Sequence, residues 1–215
     1  MNAIGPNMID LGAFRAAELK TAPFEHVVVP GFIRPAALGE INRDYPKLAV
    51  PGSVPLGMAP HGPAFQALIA ELRGDAIERA FENKFQVALY GRPRMFTVRA
   101  RCRASDGEVH PDSSSKIITV LIYMNPSWEA RGGRLRLLRS PNLADYAAEV
   151  PPDEGTLLAF KRSDTSWHGH ESFEGPRRAI QMNWVRNGFY VWHEQLRHRV
   201  GAFLKIGAAG QGAPA

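Results

Sequence analysis

Apolar residues recur along this chain with two different periods, and the change falls near residue 94. Ahead of it the pattern is mainly helical. The β-branched run at 24–32, stopped by Pro30-Gly31, predicts an opening strand. Leu38, Ile41 and Tyr45 then follow helical spacing until Pro46 ends the segment. Residues 47–63 hold Pro51, Pro55, Pro60 and Pro63 among glycines and read as a surface loop. Helix returns over 63–85, where Phe65, Leu68, Ile69 and Leu72 form one apolar stripe of the kind core packing requires.

Beyond residue 94 the texture is that of short strands separated by turns. Residues 95–104 alternate, 116–126 are β-branched and nearly all apolar, and 134–138 alternate again. Further strands are expected at 155–160, 165–170 and 177–185, divided by Ser105-Asp106-Gly107, Arg131-Gly132-Gly133, Pro151-Pro152 and Gly175-Pro176. Many short strands after a helical lead-in predict an α+β fold: a jelly roll, or double-stranded β-helix, with the N-terminal helices outside one sheet. The expected organisation is one domain over 1–205, with a helical lead-in over 1–90 and a jelly-roll core over 94–190. A closing helix over 190–205 would carry Leu196, Val200, Phe203 and Leu204, and 206–215 reads as a disordered tail.

Composition narrows the class without naming a function. At 215 residues the chain can bury a core of ordinary size. Cys102 is the single cysteine, which removes an internal disulfide framework. The N-terminus lacks a signal-peptide pattern, and no stretch approaches the roughly 20 apolar residues of a membrane helix. The expectation is a soluble, cytoplasmic protein without membrane association. The net charge of +5 is partly concentrated, in Arg92, Arg94, Arg99, Arg101 and Arg103 and again in Arg131, Arg134, Arg136 and Arg139. Such groups can attract an anionic substrate or nucleic acid. Alternate residues of a strand also point outward as a solvated face. No aromatic residues interleave with these arginines as a single-strand platform would need, so the solvated face is preferred and nucleic acid is not expected.

Candidate chemistry begins at His110-Pro111-Asp112. In an extended segment residues i and i+2 face the same way, so an imidazole and a carboxylate converge on one point. A third ligand would be His168 or His170, on the next group of strands. Two histidines and one carboxylate on one face of a metal leave the opposite positions open, as in non-haem Fe(II) oxygenases. Zinc is more often enclosed by three or four N or S ligands. His26, His61, His193 and His198 carry no assigned chemistry.

Five pieces in order over residues 94–185 resemble the 2-oxoglutarate/Fe(II) oxygenase superfamily, its prolyl-4-hydroxylase-like branch in particular. They are His110-Pro111-Asp112; the strand and turn with Tyr123, Asn125 and Trp128; Gly132-Gly133-Arg134-Leu135; the apolar strand ending at Phe160; and His168, followed by Arg177-Arg178. The resemblance implies Fe(II) held by His110, Asp112 and His168, and 2-oxoglutarate bound through its far carboxylate by Arg177 or Arg178. Only one of two neighbours on a strand can face the interior. The order Arg177-Arg178-Ala179-Ile180 and an outward apolar face of Ile180, Met182 and Trp184 favour Arg177; the spacing of Arg178 to Trp184 favours Arg178. Ile122 stands where relatives often place a tyrosine toward 2-oxoglutarate, so that contact is expected to be missing. His170 is left between a supporting contact and no role.

The implied activity is a dioxygenase that decarboxylates 2-oxoglutarate to succinate and hydroxylates an unidentified small-molecule or peptidyl substrate with O2, supported by ascorbate as reductant. Relatives that transfer halide leave the carboxylate position empty; Asp112 fills it, which points to hydroxylation. The competing reading is a cupin-like metal-binding protein that catalyses nothing.

Overall fold

The computed structural model describes residues 7–188; the expected closing helix and tail lie outside the described residues. Helices occupy the first half. They are α1 (Leu11–Ala16), α2 (Pro35–Arg43), α3 (Pro63–Leu72) and α4 (Asp75–Phe85), with β1 (His26–Val29) and β2 (Ser53–Pro55) between them. Strands β3 (Arg94–Cys102), β4 (Lys116–Tyr123), β5 (Leu135–Leu138), β6 (Tyr146–Val150), β7 (Leu157–Lys161), β8 (His168–Gly169) and β9 (Gly175–Val185) follow.

Three expectations need correction. The stretch 47–63 is not all loop: it contains β2 and a 3-10 turn at Leu56–Met58, whose Val54 and Leu56 are buried. The helix expected over 63–85 is two helices broken at Arg73 and Gly74. Arg73 caps α3, Gly74 starts α4, and Asp75 and Glu78 favour a helix start through the positive end of its dipole. The strand expected over 165–170 shrinks to the two residues of β8.

All strand pairs within the two sheets are antiparallel. One sheet has six strands in the order β1-β7-β4-β9-β3-β2, the other three in the order β6-β5-β8. Two apolar clusters lie on opposite faces of the larger sheet. One joins Phe14, Phe65, Leu68, Phe81 and other helical residues to Val98, Val120, Ile180, Met182 and Trp184. Trp184 lies 4.8 Å from Phe81, ring centre to ring centre. The second cluster joins Tyr123, Leu158, Phe160 and Ala179 of the larger sheet to Leu135, Leu137 and Val150 of the smaller. Alternation thus sends one set of side chains to the helices and leaves the other facing the smaller sheet. No helix among the described residues is long and apolar enough to cross a membrane.

Most of the concentrated arginines are committed to neighbours. Arg94 pairs with Glu78, Arg99 with Asp106, Arg136 with Glu149 and Glu171, and Arg139 with Asp145. Arg134 donates to the carbonyls of Ala130 and Trp128.

Candidate metal centre

His110 and His168 meet as an isolated antiparallel bridge, each N–H donating to the other's carbonyl at 3.1 Å. Their rings lie 4.6 Å apart. Asp112, two residues after His110, brings its carboxylate to the same point, and one ligand atom from each of the three lies within 4.8 Å of the others. Both imidazoles are held in one tautomer. His110 Nδ1 lies 2.8 Å from the Glu108 carbonyl and His168 Nδ1 lies 2.9 Å from that of Ser166. A carbonyl only accepts, so each Nδ1 carries the proton and each Nε2 keeps a lone pair for a metal.

Charge in the site follows its surroundings. Burial works against the Asp112 carboxylate, but the Lys116 ammonium, His168 and hydrogen bonds from Lys116 and Thr119 outweigh it and hold the group at about 2. Lys116 Nζ and Thr119 Oγ1 approach its two oxygens at 2.5 Å each. Arg162 Nε donates to the Asp112 carbonyl, fixing the loop from β7. Burial lowers the pKa of His168, against the pull of Asp112, so its neutral form is favoured.

These residues open into a cavity of about 290 Å³ between the sheets, whose walls also carry Thr97, Arg99, Leu121, His170, Arg177 and Gln181. Arg177 lines it; Arg178 lies on the other face of β9, its guanidinium 5.4 Å from the Tyr45 ring centre. Asn125 secures this register by accepting from Arg178 N–H and donating to Arg178 C=O. Arg177 Nε donates to the Gly133 carbonyl at 2.8 Å, and its guanidinium lies 5.4 Å from the Tyr123 ring centre. Arg177 Nη2 and the Tyr123 hydroxyl are both buried without a hydrogen-bond partner. Of the two, Arg177 lines the cavity, with the Tyr123 hydroxyl buried beside its guanidinium; a cation with an unpaired N–H on a cavity wall fits a carboxylate.

Tyr123 also corrects the expected departure at Ile122. Ile122 belongs to the cluster under the helices, whereas Tyr123 belongs to the cluster between the sheets, so the tyrosine beside Arg177 is present. A register slip of one residue reverses every face of a strand, and Leu121, lining the cavity, shares the parity of Tyr123. His170 lines the cavity too. Burial, then Arg177 and Arg99 beside it, pushes it down to about 4.

Residues 99–186 match the family model described as 2OG-Fe(II) oxygenase superfamily. No curated protein matches the sequence. Among solved structures, a Pseudomonas putida prolyl-4-hydroxylase is 16% identical, with a TM-score of 0.57 over 86% of this chain and 100% of its own. A 2OG-Fe(II) oxygenase family oxidoreductase from Burkholderia pseudomallei is 13% identical, with a TM-score of 0.56 over 84% of this chain and 92% of its own. A prolyl 4-hydroxylase from Phytophthora capsici is 18% identical, with a TM-score of 0.51 over 83% of this chain and 63% of its own.

Proposed function

We propose that this chain, whose residues 99–186 match the 2OG-Fe(II) oxygenase superfamily model, is a dioxygenase that hydroxylates a small-molecule or peptidyl substrate, with Fe(II) held by His110, Asp112 and His168. Dioxygenases of this kind use Fe(II), 2-oxoglutarate and O2. In this reading the two sheets are the walls of a double-stranded β-helix, and the helices brace the outer face of the larger one. One domain carries the whole site, and a lone buried cysteine suits a cytoplasmic setting.

The observation that carries the proposal is one cavity with two ends. One end presents two imidazole lone pairs and a carboxylate, the donor set that suits iron with open positions. The other presents Arg177, whose Nη2 is unpaired and beside which the Tyr123 hydroxyl is buried, and this cation fits the far carboxylate of 2-oxoglutarate. Arg177 binds that carboxylate, the Gly133 carbonyl orients the guanidinium, and the apolar wall of Leu121 and Leu135 limits water along the way. Arg178, the other candidate, braces Tyr45 instead. When bound, iron and 2-oxoglutarate supply the oxidising chemistry, with loss of CO2 and formation of succinate.

The test is turnover of 2-oxoglutarate with Fe(II), ascorbate and O2, read as succinate and run against metabolite and peptide pools. Succinate is expected to rise with the right substrate and the product to take one oxygen atom from O2. Asp112→Ala is expected to abolish turnover and weaken metal binding; full activity in that variant would refute the ligand set. Tight metal binding with no succinate under any condition would favour the non-catalytic cupin-like alternative, which gives no account of the Arg177–Tyr123 pair.

A further inference from the structure

Thr119 projects from the inner face of β4 with its hydroxyl between two oxygens, Asp112 Oδ2 at 2.5 Å and Asn183 Oδ1 at 3.0 Å. All three side chains are buried, Asn183 completely. A hydroxyl has one proton to give. The carboxylate is closer and, as a charged acceptor, about twice as strong, so the proton goes to Asp112. Thr119 can then only accept from Asn183. With Oδ1 toward Thr119, the Asn183 amide sets oxygen against oxygen while its buried Nδ2 has no partner.

Half a turn of that amide places Nδ2 against Thr119. The Gln181 amide, 3.3 Å away, turned likewise, accepts the second Nδ2 proton. Only an acceptor is then left unpaired, which buried sites tolerate better than an unpaired donor. Thr119 and Asn183 are direct partners across β4 and β9, so this link is anchored in two adjacent strands. The other hold on the carboxylate is Lys116, at the end of a long flexible side chain.

We propose that Asn183 is a positioning residue for the metal centre: by donating to Thr119 it commits the hydroxyl proton to Asp112 Oδ2 and fixes the plane of the ligand carboxylate. Carboxylate rotation is otherwise soft, because torsions of this type are broad. The proposal rests on Asp112 as a metal ligand. The family resemblance assigns Asn183 no role, and from the sequence it was one polar residue on an alternating strand.

The experiment measures Mn(II) affinity of the full chain by the electron paramagnetic resonance signal of free Mn(II), without turnover. Thr119→Val and Asn183→Leu are each expected to weaken binding roughly 10-fold, as loss of a partner behind a metal ligand does. The double variant is expected to match Thr119→Val alone, because both changes cut one link. Thr119→Ser, which keeps the hydroxyl, is expected to stay close to wild type. If Asn183→Leu does not fold, Asn183→Ala takes its place with the same expected outcome. Wild-type affinity in the Asn183 variant, or a double variant that loses the product of the two single effects, overturns the link while leaving the ligand set standing. A wild-type protein that binds no Mn(II) overturns both.

Discussion

Arg177 and Arg178 are adjacent, yet one faces the cavity and the other covers Tyr45, so two conservative-looking substitutions ought to behave very differently. A hydrogen bond to a charged group contributes roughly 1.5–3 kcal/mol, or about 10- to 100-fold in apparent affinity. Arg177→Met is expected to raise the KM for 2-oxoglutarate by at least that factor, and Tyr123→Phe by less, since it removes one neutral donor. Arg178→Met is expected to leave that KM near wild type. A large rise for Arg178→Met with none for Arg177→Met would reverse the proposed roles. Strand parity made the choice between the two arginines partly legible: an outward Ile180, Met182 and Trp184 implies an inward Arg177, and the packing of those three under the helices agrees. The clamp of Asn125 on Arg178 was not legible, because nothing local reveals that a side chain in one turn bonds the backbone of a strand 53 residues later.

The turn of Gly132 and Gly133 shows how an element carries function that its residues do not advertise. A Cβ on Gly132 would lie 2.2 Å from the Ser172 carbonyl oxygen, a backbone atom that cannot swing aside. Gly133 has φ +77°, favoured by glycine, and its carbonyl holds Arg177 Nε. Gly132→Ala is therefore expected to cost roughly 1–3 kcal/mol of stability, as overpacking does. It should also raise the KM for 2-oxoglutarate by displacing the carbonyl that aims Arg177, with Mn(II) affinity unchanged. Urea denaturation and steady-state kinetics check the two effects, and an unaltered KM would separate the turn from the arginine. Elements with a strong period were readable: α2, α3, β3, β4 and β9 fall where apolar spacing places them. Short ones were not. The six residues of α1 span too few turns to establish a period, and β6 has Val150 as its one β-branched residue, with Ala147, Ala148 and Glu149 of types depleted in strands. Their positions come from tertiary contacts, as when Phe14 of α1 stacks on Phe81 of α4.

Across the whole molecule, the proposed function requires buried polar groups around the cavity between the two sheets, and buried imidazoles tie stability to pH. His26, His168 and His170 are all buried, and desolvation lowers the pKa of each. The Phe24 carbonyl for His26, Asp112 for His168 and the Glu171 carbonyl for His170 pull the other way without restoring the ordinary value. The folded protein thus resists protons that the unfolded chain takes up below about pH 6.5. Their contribution to stability is complete above that value and is lost as pH falls through it, for His170 toward about 4. Asp112, held at about 2, adds stability that is present above roughly pH 4 and is lost only below it. The urea midpoint of the metal-free protein should therefore fall between pH 7 and pH 5 while Asp112 stays ionised. For His170 alone the loss at pH 5 is on the order of 2 kcal/mol. His170→Gln is expected to remove that share and flatten the profile, leaving the part due to His26 and His168. A midpoint independent of pH over this range, or a His170→Gln profile as steep as that of the wild type, would show that these imidazoles meet solvent more freely than their burial implies.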